Sequence, residues 1–239
     1  MRILAVDTST AVCGVAVCHD GKIVSEYILN DGNTHSHKLV PMIDEVMRGL
    51  SLKAEDFDAF AGVTGPGSFT GLRIGIVTVK AMALAAGKPV IGITSLDSLA
   101  FGNSGIDQYI CPMIDARNNQ VYTAVYEGRE NGDVPKRLTE YMAVPIEELS
   151  LMLQKDFIGK NIIICGDASE KYFKYFSDDN EQIKISVQGR RDACPASAAV
   201  ISEKMLEAGN YMNADELIPY YLRKSSAEQM MDKRRNVNG

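Results

Sequence analysis

Val63-Thr64-Gly65-Pro66-Gly67-Ser68-Phe69-Thr70-Gly71-Leu72-Arg73 is the stretch on which the reading of this chain turns. A short apolar run from Ala59 to Val63 precedes it and reads as a buried strand; a glycine- and alanine-rich segment over residues 72–86 follows and reads as a helix. Three glycines and a proline within seven residues let the backbone turn sharply and lie close to whatever it faces. Ser68 and Thr70 are candidate caps for the first N–H groups of the helix, which have no partner inside it. Two readings fit. One is a well-capped strand-to-helix turn. The other is an anion site at a helix N-terminus, with Gly65, Gly67, Ser68 and Thr70 around a phosphate. A P-loop requires a lysine after the last glycine, and Gly71 is followed by Leu72.

Upstream, residues 3–6 read as a first strand ending at Asp7, followed by the hydroxyl-rich turn Thr8-Ser9-Thr10. Val12 to Cys18 and Ile23 to Leu29 read as two more strands, with Asp20-Gly21 as their hairpin turn. A helix is expected over residues 36–50, where Leu39, Ile43, Val46, Met47 and Leu50 recur at helical spacing while Val40 and Met42 add a second apolar surface. Pro41 predicts a kink in that helix or a later start. In residues 72–86, Ile74, Ile76, Val77, Val79, Met82, Ala83, Leu84 and Ala85 circle the helix, with Gly71 and Gly75 one turn apart. A helix apolar nearly all round is either buried or packs on a second protein. Thr94-Ser95-Leu96-Asp97 has capping-box spacing after a strand at 89–93.

The second half restarts the first. Asp115 placed on Asp7 without gaps puts Ile114 on Val6 and Thr123-Ala124-Val125 on Val15-Ala16-Val17. Ile162-Ile163-Ile164-Cys165 reads as a buried strand, and Pro195 to Ala208 as a helix. Strands alternate with helices in both halves, so the fold is α/β with mixed sheets, and Asn103-Ser104-Gly105 is the expected boundary. After Arg223 the chain turns polar, and a frayed tail is expected.

The 239 residues are 46% hydrophobic and 23% charged, ordinary for a globular protein with a sizeable core, and no apolar run reads as long enough to span a membrane. A net charge of -6 argues against a nucleic-acid binder acting alone, since phosphate contact needs a basic surface. Five cysteines without C-x-x-C fit buried thiols in a reducing cytoplasm. No metal site is expected: His35 and His37 lack a third ligand at useful spacing. Asp7, Asp115 and Asp167 end strands and can hold a metal-bound nucleotide or cap a turn, which keeps a small-molecule kinase or ATPase open. A peptidase reading rests on Ser68 with His35 or His37 as base.

MRILAVDTST at residues 1–10, Thr34-His35-Ser36-His37, GPGSFTGLRIG at 65–75 and PYYLR at 219–223 together resemble the bacterial TsaB (YeaZ) family, over nearly the whole chain and most specifically at 65–75. The resemblance implies a duplicated fold of the actin, hexokinase and Hsp70 (ASKHA) type, with subdomains at 1–102 and 103–223 and a tail at 224–239. It implies a non-catalytic, cytoplasmic scaffold, without cofactor, in the complex that adds a threonylcarbamoyl group to N6 of the tRNA adenosine beside the anticodon. In that complex TsaD is the metal-holding transferase, TsaE is a P-loop ATPase, and tRNA is met only through the assembly. Pairing with TsaD, or with a second copy as a homodimer, is expected through helices 36–50 and 72–86. The partner-binding residues expected there are Val40, Met42, Ile43, Met47, Arg73, Ile76, Val79, Met82 and Ala83. His37 and Lys38 depart from the Glu- and Arg-like residues of the family pattern.

Overall fold

A computed structural model describes residues 1–31, 35–105, 107–129, 133–177 and 182–223. The expected tail at 224–239 and Thr34 lie outside the described residues.

The first lobe opens with an antiparallel meander, β1 (Arg2–Asp7), β2 (Cys13–His19) and β3 (Lys22–Leu29). Asp20 and Gly21, both at positive φ, make its hairpin turn. A short 3-10 turn at His35–His37 leads into α1 (Leu39–Gly49), so Pro41 sits in the first turn of a helix that starts late, where its missing N–H is tolerated. Then come β4 (Ala59–Gly65), α2 (Phe69–Ala86), β5 (Val90–Thr94) and α3 (Ser95–Gly102). Helix α2 begins before the expected residue 72 because Ser68 caps it, its side chain accepting from the Gly71 N–H; Gly87, left-handed at φ 63, ends it.

The second lobe repeats the plan. Strands β6 (Tyr109–Asp115) and β7 (Gln120–Thr123) are followed by the short β8 (Tyr126–Glu127) and β9 (Lys136–Arg137), then β10 (Met142–Pro145), α4 (Ile146–Asp156) and β11 (Ile162–Cys165). Short helices α5 (Ser169–Tyr172) and α6 (Lys174–Ser177), strand β12 (Ile183–Ile185), α7 (Gln188–Arg191) and the long α8 (Pro195–Glu207) complete it. The strand orders, β3-β2-β1-β4-β5 and β10-β7-β6-β11-β12, are the same order twice. In each, the central strand pairs antiparallel with one neighbour and parallel with the other. This is the duplicated actin, hexokinase and Hsp70 arrangement.

The repeat is real but its gapless alignment is one residue out. Val6 faces Val15 across the first hairpin, whereas Ile114 faces Tyr122 across the second, so Val15 corresponds to Tyr122 rather than Thr123. The second turn is one residue shorter, and Arg117, Asn118 and Asn119 all take positive φ to close it.

Strand β1 is buried on both faces, which explains its unbroken apolar run. Leu4 and Val6 pack with α1 and α2 through Leu39, Met42, Ile43, Ile76, Val79 and Ala83. Ile3 and Ala5 pack with α8 through Ala198, Ala199 and Ile201. Residue 103 therefore separates the sheets but not the packing: α8, from the second half, covers one face of the first sheet. Asn103 itself is buried, its side-chain amide donating to the carbonyls of Leu99 and Arg190.

Candidate functional site

The glycines of the 65–75 loop serve close packing within the chain. A Cβ on Gly67 would lie 2.1 Å from the Ser9 carbonyl oxygen, one on Gly71 2.1 Å from the Thr8 oxygen, and one on Gly75 2.3 Å from Thr8 Oγ1. The Ser68 N–H donates to the Ser9 carbonyl, and Thr8 Oγ1 donates to the Gly71 carbonyl at 2.8 Å. The turn after β1 thus packs its carbonyls against Gly67 and Gly71 at the start of α2, which gives those glycines a reason to be there other than a phosphate. Asp7 is 1% exposed and, like Gly65, does not line the cleft; Gly67, Ser68 and Thr70 do. The Asp7 carboxylate accepts from the Ser9 N–H at 2.9 Å and the Ser9 hydroxyl at 2.7 Å. Its duplicate, Asp115, accepts from the Arg117 N–H at 2.8 Å. Each aspartate closes its own turn two residues on, the turn-capping reading. Burial pushes the Asp7 carboxyl up, against the two Ser9 hydrogen bonds and the nearby His35.

Between the lobes lies a cleft of about 750 Å³. Its walls include Ser9, Thr10, His35 and Phe69 from the first lobe, Asp115, Arg117, Tyr122 and Asp167 from the second, and residues 220–223. Asp167 keeps solvent contact, yet the atoms packed around its carboxyl push it up to about 6, opposed by the Asp115 N–H that donates to it and reinforced by the Asp115 and Asp192 charges. A peptidase arrangement is not assembled: Ser68 Oγ accepts the Gly71 N–H as a helix cap, and His35 Nε2 donates to the Thr10 carbonyl at 2.8 Å. Among the described residues no group of three or more His, Cys, Asp or Glu side chains is positioned to hold a metal. Four of the five thiols are buried, and burial raises Cys13 to about 11 and Cys111 to about 12.

The apolar excess is on α2. This 18-residue helix has a mean hydropathy of 1.5, enough by length and composition to cross a membrane, which the sequence reading did not anticipate. It packs on the first sheet through Leu72, Gly75, Ile76, Val79 and Ala83, yet only 33% of it is buried. Val77 and Leu84 are 63% and 68% exposed, and Val40 on α1 is 60% exposed.

These features can be set beside known proteins. A family model described as TsaD: tRNA N6-adenosine threonylcarbamoyltransferase matches residues 22–230. The tRNA threonylcarbamoyladenosine biosynthesis protein TsaB of Buchnera aphidicola subsp. Schizaphis graminum is 30% identical over 195 residues, covering 81% of this chain and 91% of that one. The chain belongs to the TsaB (YeaZ) members of that family. The Bacillus subtilis (strain 168) TsaB is 27% identical over 230 residues, covering 95% and 96% of the two chains. A Pseudomonas aeruginosa crystal structure, titled as an uncharacterized protein with similarity to peptidase YEAZ, superposes with a TM-score of 0.76 at 26% identity, covering 93% and 99%.

For a TsaB-family chain the expected partner contacts need correction. Met42, Ile43, Ile76, Val79 and Ala83 are buried in the core of the first lobe and cannot meet a partner without unfolding it. Met47 and Met82 are half-buried against that core. Val40 and Arg73 are exposed. The sequence reading missed Val77 and Leu84 as outward positions. The signal was there: Gly71, Gly75, Val79 and Ala83 form one small-residue row that marks the packed side, and Val77 and Leu84 lie opposite it at 100° per residue.

Proposed function

We propose that this chain is a non-catalytic, cytoplasmic subunit of the machinery that makes threonylcarbamoyladenosine in tRNA, and that it works by docking the catalytic subunit TsaD on the outer face of α2 and the adjoining surface of α1. The relatives bear the name tRNA threonylcarbamoyladenosine biosynthesis protein TsaB. The observation that carries the docking reading is an 18-residue apolar helix that buries one third of its residues in the core and leaves another side, with Val77 and Leu84, exposed. Exposed Val40, Val77 and Leu84 give that surface its apolar side chains, and Arg73 gives it a cation. The same surface serves a homodimer when the chain is alone. TsaE and tRNA are met within the assembly, in keeping with the acidic net charge of -6. Buried, unpaired thiols suit a reducing compartment.

The subunit reading is favoured over a transferase, kinase or ATPase of its own by the two aspartates. In the first lobe Asp7 is 1% exposed and its carboxylate is held by the N–H and hydroxyl of Ser9 in its own turn, off the cleft wall, so it is not presented to a metal-bound nucleotide. Co-purification tests the proposal. The double variant Val77→Glu, Leu84→Glu is expected to lose TsaD while keeping its melting temperature; retention of TsaD at wild-type affinity by a folded double variant would overturn the docking surface. Calorimetry with magnesium and ATP separates the rival: tight binding abolished by Asp7→Ala would favour an enzyme.

A further inference from the structure

The chain's last described residues belong to both lobes. After α8, the Met212 N–H and carbonyl bridge to Val90, and Lys80 Nζ donates to the carbonyls of Asp215 and Leu217, so this segment runs along the first lobe beside α2. The Tyr220 N–H donates to the Thr64 carbonyl at 2.8 Å, at the end of β4. The Tyr221 ring stacks on Phe69 with centroids 4.7 Å apart, and its hydroxyl accepts from Arg73 Nε at 3.1 Å. Two residues later the chain grips the other lobe. Arg223 Nη1 donates to the Ala116 carbonyl at 3.2 Å, in the turn after β6, and to Gln120 Oε1, at the start of β7. The Tyr220 ring also meets Tyr141 of the second lobe edge-on at 5.7 Å.

Three of the four consecutive residues 220–223, Tyr220, Tyr221 and Arg223, are thus fastened across the lips of the cleft that all four line. The contacts are directional, and one guanidinium nitrogen of Arg223 is shared between a backbone carbonyl and a side-chain amide oxygen of the other lobe. Tyr141 is shared with a second crossing: its hydroxyl and that of Tyr126 each donate at 2.7 Å to the carboxylate of Asp97, on α3 of the first lobe. Tyr220 and Tyr221 are each 40% exposed, so this segment can detach without opening either core. We infer that residues 220–223 are a releasable clasp that holds the two lobes at one opening, and that losing the Arg223 grip widens the cleft between them. The inference does not depend on what docks on α2.

Amide hydrogen exchange on the full-length protein tests it, with Arg223→Ala removing both bonds of the bridge, Gln120→Ala removing the one to the side-chain amide, and Arg223→Lys keeping the charge without the guanidinium. In Arg223→Ala exchange at the Tyr220 amide is expected to rise roughly tenfold, as for loss of anchoring hydrogen bonds, and in Gln120→Ala, which keeps the bond to the Ala116 carbonyl, by a smaller factor. Amides of β1 are expected to stay at wild-type rates, and Arg223→Lys to fall between. Spin labels at Asp44→Cys on α1 and Ile158→Cys in the second lobe report the opening directly: the inter-lobe distance should lengthen and broaden in the alanine variants. An unchanged distance distribution, or Tyr220 exchange that rises only in step with β1, would overturn the clasp; the second pattern would mark Arg223 as a general stabiliser.

Discussion

Gly67 illustrates how little freedom single residues have around the turn at Thr8 and Ser9. An alanine there would drive its Cβ to 2.1 Å from a backbone oxygen that cannot swing aside. Gly67→Ala is expected to lower unfolding free energy by about 1–3 kcal/mol or more by denaturant titration. Gly49 is the control: it ends α1 with nothing within 4 Å of an added methyl, so Gly49→Ala is expected to be neutral or to stabilise by up to about 1 kcal/mol. The carboxylates give a pH signature. Asp167 is raised from 3.8 to about 6, so the folded chain binds its proton more tightly than the unfolded chain does. Its contribution to stability therefore falls as pH rises from about 4 to about 6 and is restored as pH drops. Carboxylate NMR titration should find the raised midpoint, and Asp167→Asn should remove that part of the slope. Asp7 acts in the same direction, because burial raises it too. Asp7→Asn keeps an acceptor for Ser9 and is expected to be at least as stable as wild type at pH 7.

At the scale of the element, α2 has two sides with opposite sensitivities. Val79 is fully buried between the strands and α1, so Val79→Glu places an unpaired charge in the core and is expected to unfold the lobe or cost several kcal/mol, visible as loss of the thermal transition. Leu84→Glu changes an exposed position and is expected to alter stability by less than about 0.5 kcal/mol. Under the docking proposal it weakens partner affinity by about 1–3 kcal/mol, measured by titration calorimetry with TsaD. Helix α3 shows a cap serving two masters. Thr94 accepts the Asp97 N–H as expected of a capping residue, but the Asp97 carboxylate leaves its own helix to bind Tyr126 and Tyr141 in the other lobe.

For the whole molecule, the return of α8 matters most. The first sheet needs Ala198, Ala199 and Ile201 to cover Ile3, Ala5, Ala61 and Ile91. A fragment of residues 1–102 would expose that face, and it is expected to aggregate or stay molten by size-exclusion chromatography and near-ultraviolet circular dichroism. The lobes are duplicates in topology but not in independence, since the second lends the first a helix and residues 220–223 grip both.

The sequence by itself determined the strands and helices of the first half, the apolar β11 and the helix α8 of the second, the duplication and the family. Each of these rests on local periodicity, turn chemistry or a short motif: the apolar run of β1, the Asp20-Gly21 hairpin, the Ser68 cap and the 65–75 loop are all written within a few residues of where they act. Tertiary structure alone decided which side of α2 faces out, what the glycines pack against, and where α8 and Arg223 go. The apolar residues circling α2 look equivalent along the chain, and only the sheet beneath distinguishes Val79 from Val77. Gly67 and Ser9, or Arg223 and Ala116, are far apart in sequence, and no local pattern encodes a contact whose geometry is fixed by how two sheets and their helices settle on one another.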